Sequence, residues 1–558
     1  MTGRRRSGRL SDMQLPDVNL DAIADLEIRE AFRQLLNVIE ALAAENAALR
    51  AENQQLRDEN ARLKGGSGKP NITPSVKPPP TDHSSEAERH TPTPRSKPKK
   101  NQTLIVTREE RRTVDPATLP PDARFNGTRE TIAQNLIFQV EVIRFLREEW
   151  FVPSTNTTIL APLPPGYRGG FSPSIQTLIP ALGYDTTNVS QPALLHFLRT
   201  MGVSVGAGTV ARLLADSTGR WAEEADTIHQ AGLASGPWVA TDQTATRVDG
   251  QNEVCHVVGN ALFTSYHTRP GGTRQDVLAV LWGQELRFRL NAEAMAWLER
   301  TSLPTALCTR LVLALPWERD LTRAELSEQL TTAGITLGRQ QLQQVGDALA
   351  VAAYHAQTRV PTVAWLLSDD ATVYDHLSEG HGLCWVHDWR HYAKLRPVVA
   401  RHLGELQTYR TTYWKLYRGL LAYRLSPSEE ERIRLSAAFD ELVGRETGYD
   451  ALDARIRKTA DKRAQLLAVL ELPDLPLHNN DMELGARRRV RKRDVSFGPQ
   501  SRAGARAWDT FQTIAATAAK LGVGLFHYLR DRLVSPETTR SLAERIAERA
   551  RLAAQPAG

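Results

Sequence analysis

Val239-Ala240-Thr241-Asp242 and Val363-Ala364-Trp365-Leu366-Leu367-Ser368-Asp369 share one pattern, an apolar run that stops on an aspartate. Short apolar runs bounded by polar residues read as buried strands. Two such strands place two short carboxylates at one edge of a sheet. Glu253 to Tyr266, rich in Val, His and Phe, reads as one or two further strands, and Gly382-Leu383-Cys384-Trp385-Val386-His387 follows the second run. A mixed sheet flanked by helices, an α/β core, is therefore expected over residues 236–530. Between the two runs, residues about 285–358 turn helical, with Ala324 to Leu330 opened by Thr322 in a capping position. This segment is expected to be a helical insert. Helices dominate after His387, and the chain is expected to end in a helix over 531–558.

Carboxylates at a sheet edge suit a hard divalent cation, which takes oxygen ligands while keeping positions open for water or phosphate. Two such ions roughly 3.5 to 4 Å apart can activate the attacking oxygen and stabilise the leaving oxygen of a phosphoryl displacement. Asp242 and Asp369 supply two ligands. Glu483 is the third candidate, because Asn479-Asn480-Asp481-Met482-Glu483 opens a predicted helix on which Asn480 and Glu483, at i and i+3, share a face. The expected cofactor is Mg²⁺ or Mn²⁺, two ions per site. Asp369 and Asp370 are neighbours on a strand and face opposite sides, so only one of them can reach the ions.

Outside this core the chain changes character. From Ile28, leucines recur every seven residues at Leu35, Leu42, Leu49, Leu56 and Leu63, with Phe32, Ile39, Asn46, Asn53 and Asn60 at the other seam position. A two-in-seven stripe winds helices into a coiled coil, and asparagines in the seam favour a parallel pair in register. Residues 22–64 are thus expected to be a leucine-zipper arm that makes a homodimer. Residues 65–101 hold eight prolines among Gly, Ser, Thr and Lys, and end in Arg95-Ser96-Lys97-Pro98-Lys99-Lys100. That composition predicts a disordered, basic linker. Residues 102–235 form an accessory region, with strand-like Asn135 to Val140 and a helix, glycine turn and second helix at 192–214. The latter fits a DNA-reading helix-turn-helix and an ordinary packed helical pair equally well.

Charge is concentrated after Glu483. Residues 484–506 carry Arg487, Arg488, Arg489, Arg491, Lys492, Arg493, Arg502 and Arg506 against the single acid Asp494, in a chain whose formal charge is only +6. A basic stripe beside a metal site is expected to neutralise DNA phosphates without reading bases, with Arg487 to Arg489 and Arg491 to Arg493 as the contacts. No run reaches the roughly 18 apolar residues of a membrane span. The arginine-rich start is not followed by the apolar region of a secretory leader, so a cytoplasmic, nucleoid-associated protein is expected. Three scattered cysteines, Cys255, Cys308 and Cys384, support neither a disulfide framework nor a four-cysteine zinc site.

The order of these motifs resembles that of transposases of the insertion-sequence-66 family. Asp242-Gln243-Thr244 is similar to that family's Asp-Glu-Thr. Asp369 with Tyr374 is similar to Asp-Gly-Tyr-x-x-Tyr, and Cys384-Trp385-Val386-His387 to Cys-Trp-x-His. Asn479-Asn480 with Glu483 is similar to Asp-Asn-Asn-x-x-Glu, and Lys492-Arg493-Asp494 before Phe497 to Arg-Lys-Asn-x-x-Phe. The resemblance spans about 190–530, and the zipper and linker also look like that family's N-terminal architecture. It implies an RNase H-like catalytic domain with a triad of Asp242, Asp369 and Glu483. It also implies cleavage at transposon ends with joining of the freed 3′ hydroxyl to target DNA, and accessory proteins encoded by the same element. By the same resemblance Asp369 is the ligand, and Asn479, Asn480, Tyr374, Cys384 and His387 support the site. The sequence departs from the family at Gln243, Asp370 and His478, and no cysteine precedes Cys255 to form a zinc-binding segment. These departures keep a second reading open, a catalytically silent DNA-binding regulator derived from a transposase. A third is a nuclease or resolvase of the same fold.

Overall fold

The computed structural model describes residues 20–63, 105–134, 139–185, 188–216 and 219–555. The predicted linker and most of the strand-like run at 135–140 lie outside them; Gln139 and Val140, which are described, are not in a strand. The chain divides into two compact units, one of residues 1–72, 147–196 and 205–558, the other of 73–146 and 197–204. Among the described residues of 105–146 there is no α-helix or strand, only a 3-10 turn at Pro116–Thr118.

The leucine-heptad segment is a single 38-residue helix, α1 (Leu26–Leu63). Leu42, Leu49 and Leu56 stay about half exposed, and Asn46, Asn53 and Asn60 each donate to the carbonyl four residues back. The start of α1 is docked by a different face. Leu36 packs with Leu20 and Val399, and Asn37 donates to Gly448 O at 3.1 Å. The Glu40 carboxylate accepts from Val398 N and Val399 N at 2.8–2.9 Å and lies 3.2 Å from His402 Nδ1. At 100° per residue, Leu36 and Glu40 lie about a third of a turn from the seam leucines, so docking takes in the seam residue Ile39 but leaves Leu42, Leu49 and Leu56 half exposed. Val399 caps a helix, Ala400–Leu425, so Glu40 satisfies backbone donors that the helix start leaves unpaired. Glu40→Ala is expected to cost about 1–3 kcal/mol. It should also speed hydrogen exchange in residues 26–40 and 398–402; unchanged exchange there would contradict the docking role.

Between α1 and the sheet lie a two-stranded hairpin (Glu149–Val152 with Thr157–Leu160) and a helix over Pro173–Tyr184. The predicted pair at 192–214 forms as helices Gln191–Thr200 and Ala207–Leu214. Helix α2 (Arg220–Leu233) then leads into a five-stranded sheet. Its strands are β1 (Trp238–Val248), β2 (Gln251–Gly259), β3 (Thr264–Arg269), β4 (Trp365–Ser368) and β5 (Gly380–Leu383). The order is β3-β2-β1-β4-β5, with the first three antiparallel and β4 and β5 parallel to β1. The mixed sheet is as the sequence predicts. Between β3 and β4 come α3 (Arg274–Trp282) and four helices over 292–356. The last of these, α4 (Arg339–Ala356), is buried on every side from Val345 to Tyr354, as a helix apolar all round must be. The predicted capping by Thr322 is present, reinforced by Glu325.

A second helical unit was not anticipated as such. It follows β5 and contains α5 (Trp385–Tyr392), α6 (Ala400–Leu425) and α7 (Asp450–Ala460). Its core is aromatic, with Trp385, Tyr392, Tyr409, Tyr413, Tyr417 and Phe439 fully buried. Strand β5 ends at Leu383, and Trp385 opens a helix. Two helices, α8 (Asn480–Ser496) and α9 (Arg502–Lys520), then return to the sheet. The tail holds two helices, Leu525–Val534 and Leu542–Ala554, rather than one.

Strand β3 is an edge, and α9 covers it through its backbone. Thr517 Oγ1, Thr513 Oγ1 and Asp509 Oδ2 accept from Thr264 N, Tyr266 N and Thr268 N at 3.2, 3.0 and 2.7 Å. Four helical residues rise about 6 Å, close to two residues of strand, so the two ladders stay in step. Covering an edge this way removes a template for non-native pairing.

Beneath this face His229 and His256 are buried, with the half-buried His267 beside them. His229 Nδ1 lies 2.9 Å from Ser265 Oγ and 3.3 Å from His267 Nε2, and its Nε2 is 2.8 Å from Val280 O. Burial holds the pKa of His229 down at about 4, that of His267 well below the ordinary range and that of His256 lowered. Each group therefore binds fewer protons folded than unfolded as pH falls from 6.5 towards 4, and stability must drop over that window. The loss is on the order of 3 kcal/mol for His229 alone. Urea unfolding at pH 7.5 and 5 should show it, with a shallower dependence in His229→Gln; equal slopes in the two proteins would contradict it.

Candidate active site

The sheet register brings the two aspartates together. Parallel pairing of β1 with β4 sets Ala240 opposite Leu367. Asp242 and Asp369 each lie two residues further on, so they stand side by side on the same face, on chains about 4.8 Å apart; Asp369 follows the end of β4, whereas β1 does not stop at Asp242 as expected but runs on to Val248, because it stays paired with β2. Asp242 Oδ1 accepts from Gln243 N at 2.8 Å, and Asp369 Oδ1 from Ala371 N at 3.2 Å. Asp370 turns the other way, into an ion pair with Lys462, with His391 3.9 Å off. Asp369 and Asp370 part just beyond the last residue of β4.

Glu483 reaches the same place from α8. The start of α8 is pinned by Asn479, whose Nδ2 donates to Thr241 O at 2.6 Å, next to Asp242. Asn479 N donates to the buried Cys384 Sγ at 3.3 Å, and Asn479 O accepts from Glu483 N at 3.1 Å. Gly485 then lets α8 lie close on the sheet; a Cβ there would sit 2.8 Å from Val257 Cγ1. Asn479 and Cys384 are thus the clamp that aims Glu483. Cys384 and His387 do not act as a ligand pair: the thiol is buried against Asn479, its pKa pushed up to about 11 by burial, while His387 faces Glu483.

The three acids feel one another. Burial, joined by the charges of Asp369 and Glu483, raises the pKa of Asp242 to about 6. Tyr374 is buried beside them, and burial together with the charges of Asp369 and Asp242 pushes its hydroxyl well above the ordinary range. Around the cluster, Asn479 Oδ1, Asn480 Nδ2 and His387 Nδ1 are buried without a hydrogen-bond partner, while the Thr241 and Gln243 side chains lie within hydrogen-bonding reach of the Tyr374 hydroxyl. Burying polar atoms unpaired is costly, and a site that does so is arranged for something else to bind. The donor set of three carboxylates, with the orphaned Asn479 Oδ1 acceptor beside it, fits a hard divalent cation. As they stand, no group of three His, Cys, Asp or Glu among the described residues is poised to hold an ion. Glu483 is instead engaged by two arginines. Arg390 Nη2 donates to both its oxygens at 3.0 Å, and Arg487 Nη2 to Oε2 at 3.3 Å.

Arg390 is the residue the sequence reading missed. It lies three residues past His387, one helical turn on, and its Nη1 is 2.6 Å from His387 Nε2. Reading 385–392 as a helix would have put both on the face towards Glu483. Asp388, on the opposite side of α5, is buried and accepts from Arg455, Thr459 and Tyr413, which holds α5 in place.

The basic stripe is split by its helix. Arg487 and Arg491 are exposed, Arg488 is partly so, and Arg493 reaches back to Ala245 O at 2.6 Å. Arg489 and Lys492 are only 1% and 3% exposed. Arg489 pairs with Asp509 between Tyr266 and Trp508, and Lys492 donates to Gly183 O at 2.7 Å. These two depart from the expectation of phosphate contact, because they lie on the side of α8 that faces the core. A cavity of about 300 Å³ between α8 and α9, lined by Tyr266, Gly485, Arg488 and Lys520, also lies on the far side of α8 from Glu483.

The chain is 31% identical over 307 residues to the uncharacterized protein y4jO of Sinorhizobium fredii, over 54% of this chain and 94% of that relative. No family model matches the chain. Among the described residues, no helix is long and apolar enough to cross a membrane.

Proposed function

We propose that this chain, which belongs to the family of the uncharacterized protein y4jO, is a DNA transposase that cleaves transposon ends and joins them to target DNA. The observation that carries this reading is the register that sets Asp242 and Asp369 side by side, with Glu483 aimed at them by Asn479. The strand order, three antiparallel strands followed by two parallel ones with the carboxylates at the junction, supports an RNase H-like catalytic core. The motif order resembling the insertion-sequence-66 family points the same way.

In this reading Asp242, Asp369 and Glu483 would hold Mg²⁺ or Mn²⁺. When bound, two such ions supply an activated attacking oxygen and a stabilised leaving oxygen for phosphoryl transfer. Asn479, Cys384 and Tyr374 keep the carboxylates in position and water-poor. Arg487, Arg488, Arg491 and Arg493 neutralise phosphates along the DNA, and the half-exposed leucines Leu42, Leu49 and Leu56 of α1 pair two copies so that two ends are processed together.

The test is purified full-length protein with Mg²⁺ and linear DNA carrying the sequence that borders its gene, plus a plasmid target, with the element's neighbouring gene products added. End-joined plasmid is expected. Binding of the ends with neither cleavage nor joining would replace this reading with the silent regulator, and cleavage that never joins would favour a nuclease.

A further inference from the structure

Arg390 sits where it has two uses. Its guanidinium straddles the two oxygens of Glu483 at 3.0 Å and reaches His387 Nε2 at 2.6 Å. Glu483 is 12% exposed and Arg390 46%, so the arginine closes over the carboxylate from the solvent side. A guanidinium does not give up its proton, and therefore its charge leaves Glu483 only if the side chain moves. Its helix does not need to move with it, since Asp388 anchors α5 through Arg455, Thr459 and Tyr413.

We propose that Arg390 alternates between two anions: Glu483 when the site lacks divalent cations, and a phosphate of the bound DNA strand once a cation takes Glu483. The inference rests on the reading of the three carboxylates as a metal centre. Charge sets the order of events. A divalent ion at Glu483 repels a guanidinium 3 Å away, whereas a phosphate over the same site attracts it, and a planar fork fits phosphate with two parallel hydrogen bonds. Arg390 thus keeps Glu483 screened from its neighbouring acids in the empty site, and then becomes a strand-positioning cation within a side chain's length of the reacting phosphate. No covalent step is involved.

The experiment uses the full-length protein, wild type and Arg390→Gln, which keeps hydrogen-bonding capacity but not charge. Mn²⁺ affinity without DNA is measured by calorimetry, and duplex binding is measured in Ca²⁺ over a range of salt. Arg390→Gln is expected to bind Mn²⁺ about tenfold more tightly, because a competing cation is gone, a gain of about 1.4 kcal/mol. The same variant is expected to bind DNA less tightly in Ca²⁺, with the salt slope smaller by about 0.9, the value of one phosphate contact. A merely structural arginine would move Mn²⁺ affinity the other way or not at all, and that result, with secondary structure retained, overturns the inference alone. If neither protein binds Mn²⁺, the metal-centre reading falls and the inference falls with it. Arg390→Lys, which keeps the charge without the fork, is expected to match wild type in Mn²⁺ affinity; tightening in that variant would also count against it.

Discussion

Asp369→Asn is expected to leave the protein folded and bound to DNA while reducing strand cleavage and joining about a thousandfold, equivalent to roughly 4 kcal/mol of transition-state stabilisation. The substitution keeps shape and keeps an oxygen to accept from Ala371 N, but removes the charge that draws a cation between neighbouring strands. Asp242→Asn and Glu483→Gln should act alike, whereas Asp370→Asn, facing Lys462, should retain most activity. The contrast between Asp369 and Asp370 is the sharper measurement, since both lie on the same turn. Equal losses at the two positions would argue for a shared structural role and against a metal ligand.

Arg489→Met is expected to destabilise the fold by about 3–5 kcal/mol, because it leaves the other half of a buried ion pair uncompensated. Asp509 would keep Thr268 N and Oγ1 as donors at 2.7–2.8 Å but lose its only buried counter-charge on α8. Since Asp509 also covers the β3 edge, the loss should spread to the ladder between α9 and the sheet. Arg487→Met, nearly half a turn round the helix from Arg489 and 61% exposed, should change stability little and lower the salt slope of DNA binding by about 0.9. Chemical unfolding of the two variants separates the roles. Comparable stability in both would contradict the division of the basic stripe into core and surface cations.

The difference between these two arginines marks where sequence reading stops. The two strands that carry Asp242 and Asp369 were legible because apolar runs of that length admit few alternatives, but the end expected at Asp242 was not, since β1 runs on to Val248; alternation said only that Asp369 and Asp370 part, and the family resemblance chose Asp369. The helix carrying Glu483 was legible from its polar start. What a linear pattern could not express was how α8 is turned. Arg487 and Arg489 are two residues apart and nearly opposite, and only the packing of Gly485 on Val257 says which side meets the sheet. The docking of α1 was hidden for a related reason. Its leucine seam dominates the period, while Leu36, Asn37 and Glu40 act through partners some 360 to 410 residues away. Cys384 and His387 looked like one motif, yet the fold divides them: the thiol clamps Asn479 and the imidazole joins Arg390 at Glu483.

Diffraction from crystals soaked in Mn²⁺, with the anomalous signal of the metal located, addresses the central claim most directly. The account predicts Mn²⁺ between Asp242, Asp369 and Glu483, two ions roughly 3.5 to 4 Å apart when DNA is bound, with the Arg390 guanidinium moved off Glu483. Saturating Mn²⁺ that binds elsewhere, with Arg390 still closed over Glu483 and no metal at the two aspartates, would contradict it.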